Sequence, residues 1–421
     1  MFYNSPNKKG WCALLGDKMK KLITGSLAAM TLMTTVAVAG EPVEWYSKAS
    51  KLKFSGLTYL GYNHTEFGSE QGKQSKYANV ANTTTDKFEM RRSYVQVKAY
   101  LLDDPKSYYR VTLDMEHDDS DKNTGDYNVR FKYAYLYLNE ILPYTGVEAG
   151  IVHRPWIDYE EHNSWFYRDT HWVFTEASNS AKLSNSADLG INFKTNTDYF
   201  SSEVGVFNGE GYHDNSDGDG ISAEWRFTGH ILGKHKKDAQ TTETYFDASF
   251  FGQYNVNNHK YQDFSGQLDA TTGKPVDENQ DLVWGGAHAV FNMPSFMVSA
   301  QYIYSKDTMD GKDILGNDYV YNKAGQGFNA HAIYRLGSEK QYRLVGRFDT
   351  WMPEEKYGAK NDESLVKNTY YGGAVWEQSK NVQWVANVIV YDNDIAANNA
   401  DLASGAKANS TQYMLTTQLT F

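Results

Sequence analysis

The chain has a single cysteine in 421 residues, Cys12, so nothing beyond position 12 can supply a disulfide, a thiol nucleophile or a Cys-ligated metal. Proline is scarce, at eight residues, which leaves room for long uninterrupted strands. No segment reaches the 18 or more consecutive apolar residues of a membrane-spanning helix. An excess of basic residues is missing too. With 41 Lys and Arg against 52 Asp and Glu the formal charge is −11, which argues against a nucleic-acid partner, because neutralising phosphates needs a basic surface.

What is present begins with an export signal. Met19-Lys20-Lys21 opens a short basic region, residues 22–36 are apolar and small, and Ala37-Val38-Ala39 before Gly40 is an A-x-A cleavage site. The apolar stretch is too short for a bilayer of roughly 30 Å, so a leader fits better than an anchor. Residues 1–18 read as the product of an upstream, non-native start, residues 19–39 as the signal peptide, and residues 40–421 as one domain. Removing the five Lys and one Asp before Gly40 leaves 36 basic and 51 acidic residues, a formal charge of −15.

The mature part is rich in Tyr (32 in the chain) and Trp (10), and its dominant pattern is alternation with period two. Tyr109, Val111, Leu113 and Met115 alternate with Arg110, Thr112, Asp114 and Glu116. Phe328, Ala330, Ala332, Tyr334 and Leu336 alternate with Asn329, His331 and Arg335, and Val382, Trp384, Ala386, Val388 and Val390 with Gln383 and Asn387. The chain closes on Tyr413, Leu415, Thr417, Leu419 and a terminal Phe421. Sixteen such segments stand near 52–64, 88–101, 107–117, 127–140, 146–154, 187–195, 199–208, 221–228, 242–254, 282–292, 296–305, 326–336, 340–350, 367–377, 381–391 and 411–421. A sandwich in water also alternates. Three features favour the membrane: segments long enough, when tilted, to cross an apolar band of about 25 Å, a final aromatic at the end of an amphipathic strand, and links that are short after even-numbered segments and long after odd ones. The fold class expected is therefore all-β, a transmembrane antiparallel barrel of about sixteen strands in the outer membrane of a Gram-negative bacterium. The eighth link, with Lys234, Lys236 and Lys237, is long for its side.

A barrel of this size holds water, so its chemistry lies in what lines and narrows it. The third long link, residues 155–186, is rich in aromatics and carries Asp158, Glu160, Glu161, Arg168 and Asp169. Its aromatics argue against full exposure, and it is expected to fold inward as an eyelet with Trp156 and Tyr159 on it; a surface loop is the alternative. By parity alone the inward basic residues are Lys53, Arg92, Lys98, Arg110, Arg130, Lys132, Arg154, Lys194, Arg226, Arg335, Arg343 and Arg347. The inward acidic ones are Asp114, Glu116, Glu148, Asp188, Glu203, Glu224, Glu243, Asp247 and Asp349. These either draw anions through or pair with one another and hold the loop. Acidic groups at Asp118, Asp119 and Asp121 and at Asp214, Asp217 and Asp219 lack the spacing of a Ca²⁺ loop and read as solvated charge. No zinc-hydrolase or nucleophile-elbow motif is present, and neither a cofactor nor a metal is expected.

The stretches FEMRRSYVQVKAYL (88–101), EAGIVHRPWIDYEE (148–161) and GVFNGEGYHDNSDGDG (205–220) resemble the phosphate-selective porin O/P family. That resemblance implies a trimeric sixteen-stranded anion porin with an inserted third loop and an arginine ladder. Carried onto this chain, the ladder is Arg92, Arg110, Arg130, Arg343 and Arg347, with Arg154 and Arg168 near the eyelet. The third loop here departs from it in being more acidic than basic. The function expected is passive diffusion of small hydrophilic solutes, with an anion bias towards phosphate-like oxyanions as the finer expectation. A sugar channel with a stacking slide of Trp156, Trp165, Phe166, Tyr167 and Trp172 is an alternative; an outer-membrane enzyme or adhesin is another. Expected partners are outer-membrane lipid and lipopolysaccharide, the barrel assembly machinery through the strand ending in Phe421, two further copies in a homotrimer, and small ions. N-terminal sequencing of outer-membrane material should begin within a few residues of Gly40; a protein starting at Met1 would contradict the leader.

Overall fold

The computed structural model describes residues 51–67, 84–101, 104–117, 127–212, 220–236, 239–260, 279–307, 324–353, 366–393 and 409–421. The leader region and both acidic loop groups, Asp118, Asp119 and Asp121 and Asp214, Asp217 and Asp219, lie outside them. Sixteen strands follow one another: β1 (Leu52–Phe67), β2 (Thr84–Tyr100), β3 (Tyr108–His117), β4 (Tyr127–Leu142), β5 (Thr145–His153), β6 (Ala187–Asn196), β7 (Phe200–Phe207), β8 (Ile221–His230), β9 (Tyr245–Lys260), β10 (Asn279–Met293), β11 (Phe296–Asp307), β12 (Gly325–Leu336), β13 (Tyr342–Pro353), β14 (Lys367–Ser379), β15 (Val382–Asn393) and β16 (Ser410–Thr420). Among the described residues one α-helix, α1 (Pro155–Asn163), opens the third long connection.

Each strand pairs antiparallel with its sequence neighbours and β1 pairs with β16, so the sheet is a closed barrel with no free edge. The alternation expected from the sequence is visible as burial. Along β12 and β13 every second residue is buried, and the apolar residues between them, such as Tyr334 and Leu344, are exposed on the outer surface. Strands reach three to six residues beyond the expected limits at the long-connection end of β1, β2, β9 and β10. The β2 extension, Thr84, Thr85, Asp86 and Lys87, is polar on both faces, so pairing continues there where the alternation signal has stopped. Among the described residues no helix is long and apolar enough to cross a membrane; the crossing elements of a barrel are strands.

The outer surface is apolar in its middle, with Val204, Val206, Val388 and Leu415 exposed, and is edged by aromatics. Tyr342, Trp376 and Trp384 stand in register across β13–β15 at the short-turn rim, and Tyr62 packs on Phe88 towards the long-connection rim. An apolar band between two aromatic girdles is what lipid demands of a barrel exterior.

Two bulges alter which residues face inward. Tyr59 pairs with Arg92 and Leu60 with Met90, leaving Arg91 as the extra residue of β2. Thr112 pairs with Tyr133 and Leu113 with Phe131, leaving Lys132 extra in β4. A bulge shifts the phase of the alternation. Arg91 and Arg92 therefore both turn inward, and beyond Lys132 the inward row of β4 becomes Tyr133, Tyr135 and Tyr137.

The seam is closed by the last residue. Gly56 and Phe421 exchange two backbone hydrogen bonds of 3.0 and 3.1 Å, and the Phe421 ring lies so close to Gly56 that a Cβ there would collide with it. Deleting Phe421, or replacing Gly56→Leu, should lower the yield of folded barrel sharply, read as loss of the heat-modifiable band on gels; an unchanged band would count against this seam.

Candidate functional site

The site is built by the third connection, residues 154–186. Arg154 is extended and Pro155 takes the first helical position, where its missing N–H costs nothing and its fixed φ favours the helix. The helix stops at Ser164, whose N–H, like that of Trp165, is donated to the Glu160 carbonyl. An irregular run follows, with Trp165, Tyr167, Val173 and Phe174 fully buried.

Those side chains are buried against strands. Ile157, Trp165, Tyr167 and Val173 join one apolar cluster with inward residues of β9–β16, among them Val290, Ile333, Val345, Val375, Val385 and Ile389. Trp156, Phe174 and Leu183 join a second with Phe251, Leu282, Trp284, Ile303 and Trp351, and the Trp156 ring is stacked on that of Phe251 at 3.5 Å. Covering large apolar side chains is worth roughly 1.5–3 kcal/mol each. Hydrogen bonds fix the register: Thr416 Oγ1 donates to Asp169 (2.6 Å), Thr170 Oγ1 to Tyr371 (3.1 Å), Asn179 Nδ2 to Thr369 (2.9 Å) and Ser180 Oγ to Asp349 (2.8 Å). Arg91 donates to the Thr170 carbonyl from β2.

The charged residues fall into two groups. Most are paired. Arg92 holds Asp114 at 2.7 Å, with Arg130 3.6 Å from the same carboxylate. Arg154 bridges Glu224 (2.7 Å) and Asp188 (3.3 Å), and Arg168 joins Glu161 (2.7 Å) and Glu176 (3.0 Å). On the far wall, Arg347 pairs with Asp349 (2.6 Å), donates to the Trp172 carbonyl (2.9 Å) and lies 4.4 Å over the Trp165 ring, while Arg343 pairs with Glu377. Glu160 accepts from Gln301.

The second group lies on tyrosine. Arg110 is 4.5 Å over the Tyr133 ring and donates to Tyr135 (3.3 Å), with His153 at 3.0 Å. Lys132 donates to Tyr94 (3.3 Å) and sits 4.7 Å over its ring; Lys98 is 4.2 Å over Tyr108. Among the described residues no carboxylate lies within ion-pair distance of Arg110 or Lys132. Beside this wall opens a cavity of about 1000 Å³, bounded by Tyr108, Arg110, Tyr137 and Lys194 on one side and by Asp158 and Tyr159 of α1 on the other. Lys194 reaches Asp158 at 3.1 Å, and Tyr159 donates to Asp247 at 2.8 Å.

The structure thus gathers Arg110, Asp158 and Tyr159 around one cavity, with Lys98, Lys132 and Arg92 on the adjoining wall. It does not bring Arg343 and Arg347 there: they sit behind the third connection on β13. Trp156, Trp165 and Tyr167, named for a sugar slide, are at most 2% exposed and offer no ring face to a solute. Arg91 and the inward tyrosines of β4 were hidden by bulges that no glycine announces. Among the described residues no cluster of His, Cys, Asp and Glu could hold a metal ion.

Two carboxyls of the connection titrate near neutrality. Burial pushes Glu160 up to about 7, against the lowering influence of Arg347, and pushes Asp169 up to about 6, against the hydrogen bond from Thr416. A carboxyl raised in the folded state favours its protonated form, so the contribution to docking is complete below about pH 4 and is lost as pH rises through 6 to 7. Amides of residues 164–184 should exchange more slowly at pH 5 than at pH 8 after correction for intrinsic rates, and Glu160→Gln with Asp169→Asn should remove most of the difference. Equal protection of the unsubstituted protein at both pH values would contradict the assignment.

No family model matches the chain, and no curated protein does. Solved structures do. The chain is similar to the in-vitro folded trimer form of OmpT, an outer membrane protein of Vibrio cholerae (TM-score 0.55, 10% identity, covering 89% of this chain and 100% of that one). It is also similar to Salmonella typhi OmpF in complex with Daunomycin (TM-score 0.55, 11% identity, 89% and 99% covered). A third is the outer membrane channel DcaP of Acinetobacter baumannii (TM-score 0.53, 10% identity, 91% and 100% covered). At such identities the likeness is one of fold: a closed sixteen-stranded antiparallel barrel shared with outer-membrane porins.

Proposed function

We propose that the chain is an outer-membrane porin, a non-enzymatic channel for passive diffusion of small hydrophilic solutes. The observation that carries this is the roughly 1000 Å³ cavity beside α1, in a barrel whose outer face is apolar and whose wall at the cavity is polar and charged. A sixteen-stranded wall alone is too wide to select small solutes, so the third connection is assigned the role of narrowing it. The finer reading is a bias towards anions. Arg110 carries it: a guanidinium at the cavity, held on tyrosine rather than on a carboxylate, keeps its field available to a passing anion. Phosphate-like oxyanions, implied by the family resemblance, remain part of that finer reading. The leader, the homotrimer, contacts with lipopolysaccharide and recognition of the Phe421 strand by the assembly machinery belong to the same proposal.

The test is bilayer recording under a salt gradient. Deleting residues 163–175 should raise conductance about twofold or more and weaken ion preference, because a narrowing element rather than the wall sets both. Arg110→Ala should shift preference towards cations with little change in conductance, since the geometry stays while the field changes. Unchanged conductance in the deletion would exclude the narrowing role. A sugar channel would instead show block by oligosaccharide.

A further inference from the structure

The short-turn end of the cavity has an aromatic floor, and a bulge puts it there. From Tyr133 to Leu138 both rows of β4 are apolar or aromatic, so lipid alone does not decide which row faces out. The extra residue at Lys132 sends Tyr133, Tyr135 and Tyr137 inward and leaves Ala134, Leu136 and Leu138 on the other face. Tyr137 pairs with Tyr108 of β3, and their rings stand 5.1 Å apart, tilted by 35°. The Tyr137 ring lies across Gly146 of β5, where any Cβ would collide with it. A ring laid along the wall turns one face to the wall and the other to the lumen. Tyr108 and Tyr137, both half-buried, and the exposed Tyr144 border the cavity there.

One charge stands beside this floor without a carboxylate. Arg110 is two residues along β3 from Tyr108 on the same face, and the Tyr135 ring lies between them, 6.2 Å from Tyr108 and 5.8 Å from the guanidinium. The other charges of the cavity are engaged or balanced. Lys194 gathers Asp158 (3.1 Å), Glu203 (3.3 Å) and Glu148 (3.6 Å), and Arg226 holds Glu203 at 3.0 Å. At the short-turn rim Lys234 and Lys236 are matched by Glu140 and Asp198. The amides of Asn139 and Asn196 complete the lining around the tyrosines.

We propose that this end of the cavity is a subsite for acidic sugars of the hexuronate class, with a pyranose ring on Tyr137 and Tyr108 and its carboxylate directed to Arg110. The inference rests on the channel reading and names a solute class for it. The C–H face of a pyranose packs on an aromatic ring, while its hydroxyls both donate and accept, which suits a lining of amides and paired charges. A bare oxyanion makes no use of the tyrosine floor. A flat aromatic acid would stack on it but offer those polar side chains no hydroxyl partners. The cavity, at about 1000 Å³, has room for a short acidic oligosaccharide.

The experiment is bilayer recording from the full protein with three probes: digalacturonate, the neutral disaccharide lactose, and benzoate. Digalacturonate should interrupt the current at a concentration about tenfold lower than either of the others. Tyr137→Leu, which keeps the bulk but not the ring, should raise its half-blocking concentration about fivefold, and Tyr137→Phe should restore it. Arg110→Ala should raise it about tenfold. Should the Leu variant fold poorly, the comparison of probes on the unsubstituted channel still decides. Block by lactose or benzoate as strong as that by digalacturonate, or a conducting Tyr137→Leu channel blocked like the unsubstituted one, would overturn this inference and leave the channel reading standing. Absence of any current from the unsubstituted protein would overturn both.

Discussion

Closing a sheet removes its edges but gives every strand two faces with different demands. Outside, lipid accepts only apolar side chains. Inside, whatever the strands present must be wetted, paired or covered. This chain divides its interior between those solutions. The inner faces of β9–β16 carry Val290, Ile333, Val345, Val375, Val385 and Ile389, which water would solvate poorly, and the apolar side of residues 156–174 covers them. The inner faces of β3–β8 border the cavity with largely polar side chains. The position of the third connection follows from that division: it rests on the wall that needs covering and leaves open the wall that does not.

The same division explains how the charges are arranged. A buried charge without a partner is costly, and the charges beneath or within the third connection are paired: Arg347 with Asp349, Arg154 with Glu224 and Asp188, Arg168 with Glu161 and Glu176. Beside the cavity, water shares that burden, and Arg110 can lie on a tyrosine ring instead. A mildly basic set of inward residues in an acidic protein is therefore mostly neutralised, Lys194 and Arg226 at the cavity included, while Arg110 there is held on tyrosine.

Strand count, order and direction could be read from the sequence because period two is imposed on every strand by the same lipid outside. What the sequence hid was local. The bulges at Arg91 and Lys132 shift the phase without Gly or Pro to mark them, so Arg91 and the row Tyr133, Tyr135, Tyr137 escaped a reading by parity. On β15, Val385 and Ile389 are as apolar as their outward neighbours Ala386 and Val388, and an inner face of that kind has to be covered by something. The arginines of β13 obeyed parity but not proximity: Arg343 and Arg347 face inward on a stretch of wall that the connection covers. The length of the eighth connection was visible in the sequence; that its His235, Gln240 and Glu243 reach the wall depends on Asp247 and Asn292, contacts far apart along the chain.

The central claim is that the third connection is fixed on the β9–β16 wall while the channel conducts past it. Cysteines replacing Asp169 and Thr416, whose side chains meet at 2.6 Å, test it most directly, because Cys12 is the only thiol in the chain and precedes the expected cleavage site. The account predicts a near-complete disulfide on mild oxidation, with single-channel conductance the same before and after. Failure of the pair to form in a correctly folded barrel, or loss of current once it forms, would contradict it.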